Sequence, residues 1–322
     1  MSMIAAMLLV PAVFTFTPDF SVAMEERKFE QARILMEQRL AADPNDGKGI
    51  AMKTRLFFAG VIQADEDTLT DALEACIDAN PDAFECHLAL GEMYGREASS
   101  GGMMRGMMLA DDILERFQDA VRIQPKNLQA RNNLQSFYLA APGIAGGGRD
   151  KADANYEAFA ALEPGLAPLL KVSMLMRDQK QAEAEKILTE LPDQTDPSVR
   201  QLHAGALTIL AFERINGKDL DSGRRVGALL SERYPRLPFG LIAIGRVELE
   251  GGDAKLAAEK LEQALAMDPN CGANYRLGLA YEKLGRVDDA RKQYQSFVAV
   301  ESRKGLPIFK EAQARLKAIG KS

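Results

Sequence analysis

Between Pro238 and Val300 the chain states one pattern twice. Ile244-Gly245 is followed by Ala257, Ala264 and Pro269, and Leu277-Gly278 by Tyr281, Ala290, Tyr294 and Phe297. Gly245 to Gly278, Ala257 to Ala290 and Ala264 to Phe297 are each 33 residues apart. A fixed period of this size restricts the chain to stacked supersecondary units, because a single compact core gives no reason to repeat. Within each copy the apolar residues fall at helical spacing on two short segments. Gly251-Gly252-Asp253 and Gly285-Arg286 stand between those segments as helix breakers. Each copy therefore reads as a helical hairpin. Gly245 and Gly278 let its two helices approach closely, Ala257 and Ala290 do so from the facing helix, and Leu261, Tyr281 and Tyr294 fill the space between. A proline after the second helix ends it and turns the chain into the next unit.

The prolines carry the pattern backward. Pro44, Pro81, Pro125, Pro164, Pro197, Pro235 and Pro269 are separated by 37, 44, 39, 33, 38 and 34 residues. Twelve, eight and five residues before them stand small or apolar residues: Leu69, Leu73 and Cys76 before Pro81, and Ile113, Phe117 and Ala120 before Pro125. Ala152, Tyr156 and Phe159 precede Pro164, and Gly223, Gly227 and Leu230 precede Pro235. Before Pro44 the set is Ala32, Met36 and a mismatched Arg39. Ala184, Leu188 and Leu191 fit only when counted from Asp196, one residue before Pro197.

Leu/Ile-Gly, Tyr three residues on, the Ala pair and the closing Pro together resemble the tetratricopeptide repeat, closely in the last two copies and more loosely over nearly the whole chain. The resemblance implies an all-α, right-handed superhelical solenoid of helical hairpins, about seven units with terminal caps. That architecture overrides the prior of roughly two domains at about 150 residues each that a chain of 322 residues suggests. The expected division is a signal peptide over 1–23, a capping helix and partial repeat over 24–45, the array over 46–303 and a capping helix over 304–322. In that last helix Ile308, Phe309, Ala312, Leu316 and Ile319 share one face. Asp82, Asn127, Asp196, Asp253 and Asn270 are the expected helix N-caps.

The signal-peptide reading rests on the apolar run Ile4 to Phe14, too short for a membrane span of about 20 residues, and on Ser21-Val22-Ala23 as a small-residue cleavage site. No Lys or Arg precedes Arg27, so the usual basic start is missing. Export to the periplasm is the expectation. The alternative is a packed first helix in a cytoplasmic or membrane-associated protein. Cys76 and Cys86 lie near each other across a turn, either as a disulfide suited to an exported protein or as small core residues alongside Cys271.

Two units are long. One carries an insertion over 95–110, rich in Gly and Met, and the other an insertion over 139–149; both fall between the helices of a hairpin and are expected to project from one edge. Insertions on one face of a repeat protein are often where it binds. Gly143 to Asp150 lacks the Lys-Ser/Thr of a phosphate loop, so it reads as a flexible connector, with Asp150 favourable at a helix start. Met103, Met104, Met107 and Met108 form the densest thioether cluster, suited to packing, to varied partners or, in an oxidising compartment, to Cu(I).

Catalysis and cofactors are not expected. The chain has two histidines, His87 and His203, with no zinc pattern, no CxxC and no nucleophile elbow. Net charge is −6 and no basic block stands out, so nucleic acid is not an expected partner. What the resemblance implies is a binding groove lined by first helices. Counted from the Gly positions, its candidate partner-binding residues are Glu85, Leu88 and Glu92; Gln129, Asn132 and Ser136; Phe239, Ile242 and Arg246; and Tyr275, Leu279 and Glu282. A Lys/Asn/Arg clamp for C-terminal carboxylates is not evident, so an extended acidic tail is not expected. The expected function is a non-enzymatic scaffold for a protein or peptide. Its rival is a carrier of a lipid or other apolar small molecule, with the Met-rich insertion and Phe239, Ile242 and Leu279 closing an apolar cavity.

Overall fold

The computed structural model describes residues 20–300 and 307–319. Among the described residues it holds 17 α-helices in sequential hairpins. α1 (Phe20–Glu25) pairs with α2 (Phe29–Ala42), and α3 (Gly47–Phe58) with α4 (Glu66–Ala79). α5 (Phe84–Ser100) pairs with α6 (Gly102–Ile123), α7 (Leu128–Ala140) with α8 (Arg149–Leu162), and α9 (Ala167–Arg177) with α10 (Gln181–Glu190). α11 (Pro197–Asn216) pairs with α12 (Leu220–Arg233), α13 (Phe239–Gly251) with α14 (Ala254–Met267), and α15 (Asn274–Lys283) with α16 (Val287–Val298). α17 (Pro307–Ile319) packs on α16 with Phe309, Ala312 and Ile319 buried.

The register read from the prolines is the core face of the second helices. Ala32, Leu73, Ala120, Ala152, Phe159, Ala184, Leu188, Leu230, Ala257, Leu261, Ala264, Ala290 and Tyr294 are all fully buried. Arg39, the mismatch, is exposed and pairs with Asp46. Opposite these faces the first helices present glycines, and the reason is distance. A Cβ at Gly91 would lie 2.5 Å from the Phe117 ring, at Gly245 2.7 Å from Leu261, and at Gly278 2.4 Å from the Tyr294 ring. Only a residue without a side chain allows that approach.

Local punctuation is partly as expected. Asn127, Asp196 and Asp253 accept hydrogen bonds from the first turns of α7, α11 and α14. Asp82 and Asn270 do not cap: Asp82 is drawn away to Arg122, and α15 starts only at Asn274, after Gly272 in a left-handed conformation (φ 82°). Cys76 and Cys86 are joined by a disulfide of 2.05 Å that lies against Gly47. Cys271 is half-buried, its thiol 3.7 Å from the Ala264 carbonyl.

Both insertions are ordered rather than loose. The first is absorbed into helix: α5 runs on to Ser100 and α6 starts at Gly102, leaving one tall hairpin. The second contains a short 3₁₀ turn, Gly143–Ala145, with Ala145 buried. Its glycines do take positive φ, 83° at Gly146 and 146° at Gly148. The segment is nevertheless packed, since a Cβ at Gly147 would fall 1.8 Å from the Ala141 carbonyl oxygen. The 3₁₀ turn touches α6, so the two insertions meet on one edge.

Residues 1–19 lie outside the described residues, and with them most of the expected signal peptide. α1 straddles the expected cleavage point, with Phe20 and Ala23 buried against Ala32, Met36 and Leu56. Its last residue and the turn after it reach across the array. Glu25 pairs with Arg200, Glu26 with Arg236 and Arg27 with Asp268.

Gly278→Ala is expected to lower unfolding free energy by about 1 to 3 kcal/mol in urea titration, because the added methyl overpacks Tyr294. Gly95→Ala, whose Cβ would meet nothing within 4 Å, is the control and is expected to be neutral or stabilising. Equal effects would mean that the hairpin helices are not held in this close contact.

Candidate functional site

The first helices touch one another along the array, α3 with α5, α7 with α9, α9 with α11, α11 with α13 and α13 with α15, and α7 also touches α11. No pair of second helices packs comparably. The array is therefore curved toward its first helices, and their free faces line the inner groove. α1 lies within it, beside Lys48, Arg55 and Ser198.

Glu85, Leu88, Glu92 and Gln129 come together around a cavity of about 230 Å³ next to Phe20 and Ser21. Arg246, Tyr275, Leu279 and Glu282 come together around another of about 330 Å³. Ser136 lines a third with Glu92. Asn132 is not among the lining residues; its neighbour Asn133 faces that third cavity instead. Counting from a glycine gives the turn of the helix but not which of two adjacent positions faces inward.

Three candidates offer the groove little surface: Leu88, Ile242 and Tyr275 are 6%, 4% and 4% exposed, although Leu88 and Tyr275 still contribute to the cavity walls. Tyr275 stacks near Tyr294 and Phe297, with ring centres 6.0 and 5.7 Å away, and its hydroxyl meets Glu311 of α17. It belongs to the seat of the terminal helix. Phe239 packs between two apolar clusters. The apolar cavity near the methionines is closed by Phe137 and Phe117, not by Phe239, Ile242 and Leu279.

Electrostatics distinguish two places. At Glu92, Asn133 Nδ2 donates to Oε1 at 2.8 Å and Gln129 Nε2 to the same oxygen at 3.4 Å. Solvent reaches part of the side chain, yet protein crowds it on the groove floor. Burial pushes the carboxyl above its ordinary 4.5, outweighing Arg55 and the two amides, which pull it down. At the other end, burial and then the charge of Arg246 pull Arg276 down to about 10. Arg276 makes no hydrogen bond or ion pair among the described residues. Arg246 lies over the Phe212 ring at 5.0 Å and donates to Asn216 at 2.8 Å, again without a carboxylate. Glu282 is held by Arg315 at 2.6 Å and Glu250 by Lys218 at 2.6 Å. The sequence reading missed Arg276. Its signal was an arginine one position after Tyr275 on an otherwise apolar face.

The histidines are structural. His87 Nε2 lies 2.9 Å from the Pro81 carbonyl oxygen. His203 lies between the Tyr234 hydroxyl at 2.7 Å and the Leu188 carbonyl at 2.9 Å, and burial lowers its pKa. Among the described residues no group of His, Cys, Asp and Glu is placed to hold a metal, and no helix is long and apolar enough to cross a membrane. Met103, Met104, Met107 and Met108 occupy the first turns of α6 and are exposed.

Residues 242–304 match the tetratricopeptide repeat family. The matched span holds α14, α15 and α16 and most of α13, including the Gly245–Leu261 and Gly278–Tyr294 contacts. Beyond it, the fold is similar to that of yeast Tom70, with a TM-score of 0.62 at 14% identity over 92% of this chain. The chain spans only 59% of the Tom70 chain. The Cut9–Hcn1 hetero-tetramer of the APC/C matches at 17% identity over 93% of this chain and 54% of the other, TM-score 0.47. A tetratricopeptide repeat protein from Parabacteroides merdae matches at 15% identity over 85% of this chain and 98% of the other, TM-score 0.46. Comparison with curated proteins gives no match.

Glu92→Gln tests the groove electrostatics. A carboxyl raised above 4.5 makes the native state hold more protons than the unfolded one, so wild-type stability falls as pH rises through and above that value. Gln keeps the acceptor for Asn133 and removes the titration. The variant is expected to gain stability relative to wild type from acid to neutral pH, read as urea midpoints at several pH values. A pH-independent difference would show that Glu92 is not desolvated.

Proposed function

We propose that the protein is a non-catalytic tetratricopeptide-repeat scaffold that holds a segment of a protein partner in its inner groove. One observation supports the choice of ligand: Arg246 and Arg276 share a cavity floored by Leu249, Tyr275 and Leu279, and neither is ion-paired among the described residues, Glu250 acting on both only at a distance while held by Lys218. A guanidinium drawn from water without a counter-ion is costly, and an incoming carboxylate supplies charge-assisted hydrogen bonds. The reading is therefore a segment that places an acidic side chain beside an apolar one. It revises the expectation against acidic ligands, which was made without Arg276. A preformed groove loses little entropy on binding.

The test is photo-crosslinking in the native cells with a reactive residue at position 279. Crosslinked partner peptides are expected to carry Asp or Glu. Arg246→Ala with Arg276→Ala is expected to reduce the yield about tenfold or more with helicity unchanged. An undiminished yield from the folded double variant would remove the arginine pair from the site.

We place the protein in an oxidising, exported compartment, on the strength of the apolar run Ile4 to Phe14 and the Cys76–Cys86 disulfide. The intact mass of the chain from its own cells is expected to begin at Met24 and to lack two hydrogens for the bond. Cleavage there leaves the ion pairs of Glu25, Glu26 and Arg27 in the chain. A mass that retains residues 1–23 with free thiols would reverse the assignment.

A further inference from the structure

The two departures from the repeat, the tall α5–α6 hairpin and the glycine-rich turn after α7, meet and border an open cleft of about 730 Å³. That size lies within the range of about 300 to 1,000 Å³ typical of small-molecule sites. The space exists because side chains are missing along it. A Cβ at Gly95 would meet nothing within 4 Å, and one at Gly106 nothing nearer than 3.8 Å. Phe117 and Phe137 form the apolar floor. At the mouth, Met103 is 82% exposed and Met107 38%, adaptable thioethers that can close over guests of different shape.

The polar features are confined to few positions. Glu92 is the one titratable side chain lining the cavity, with Asn133, Ser99 and Ser136 as the neutral polar residues. Asn133 and Gln129 both donate to Glu92 Oε1. Oε2 accepts no hydrogen bond from the described residues, so Glu92 keeps capacity for a donor. Arg55, on the adjacent first helix α3, is the charged group that acts on Glu92.

We propose that this cavity binds a single-tailed apolar molecule with an amine head, its tail along the glycine-opened wall between α5 and α6 and its head donating to Glu92. A cationic head supplies a directly bonded counter-charge, which Arg55 gives only at a distance, whereas an anionic head adds a like charge beside the carboxylate. The site is separate from the Arg246–Arg276 cavity and stands or falls apart from it.

The probes are dodecylammonium and dodecanoate, titrated calorimetrically into the full chain below their micelle concentrations. Saturable 1:1 binding is expected, with the amine the tighter ligand. Glu92→Gln should weaken the amine about tenfold or more, the scale of one charge-assisted hydrogen bond, and tighten the acid by removing the like charge it faces. Gly95→Leu fills the cavity and should abolish binding of both probes. Gly106→Leu is the second filling variant, and far-UV circular dichroism reports whether each folds. No saturable binding of dodecylammonium to wild type overturns the proposal. So does unchanged binding to a folded filling variant, which moves the site elsewhere. Equal affinity for the two probes with no effect of Glu92→Gln removes the amine head. If neither filling variant folds, the head discrimination at Glu92 decides alone.

Discussion

The array depends on how closely the two helices of a hairpin approach. Gly91 against Phe117, Gly245 against Leu261 and Gly278 against Tyr294 repeat one solution: a helix with no side chain at the crossing, facing a large one. Each crossing sets the spacing within its hairpin. Alanines at the neighbouring buried positions, such as Ala257 and Ala290, let the next layer in. Because a crowded interior leaves no room for even a methyl group, these glycines fix the geometry that the rest of the molecule inherits. The inner groove follows, since it is the face left over when first helices pack on one another and second helices stay apart.

The same glycine chemistry, used without an opposing side chain, makes space instead of contact. Gly91 meets a phenylalanine, but one turn along the same helix Gly95 meets nothing. The tall hairpin thus changes from packed core to open wall within four residues. Polar groups are distributed as unevenly. Most acidic side chains near the groove are already held, such as Glu282 by Arg315 and Glu250 by Lys218. Glu92, Arg246 and Arg276 form no ion pair among the described residues.

Much of the fold was legible because it is built from local contacts with a fixed period. Prolines and small residues counted backward from them gave the buried face of the second helices, even at the unit displaced by one residue. What failed shows what a periodic count omits. Asp82 has the chemistry of a cap but is taken by Arg122, forty residues away. Asn132 and Asn133 are equally good on paper, and only the packed structure shows that the second lines the cavity. Leu88, Ile242 and Tyr275 were given to the groove because the count finds the inward side of a helix without the depth of its neighbours. The insertion over 95–110 reads as a loop from its glycines, yet tertiary packing carries it as helix. Arg276 and the reach of α1 depend on contacts between distant repeats, to which the period is blind.

That reach gives the molecule an order of assembly. Solenoids of this kind can form unit by unit, each hairpin resting on the one before, and such local contacts favour fast folding. The end of α1 and the turn after it are different: Arg27 meets Asp268 across 241 residues, and Glu25 meets Arg200 across 175. These side chains therefore wait for partners far down the chain before they are satisfied. An array that is otherwise free to fold from any unit closes through this one segment, and only once α11 and α14 are in place.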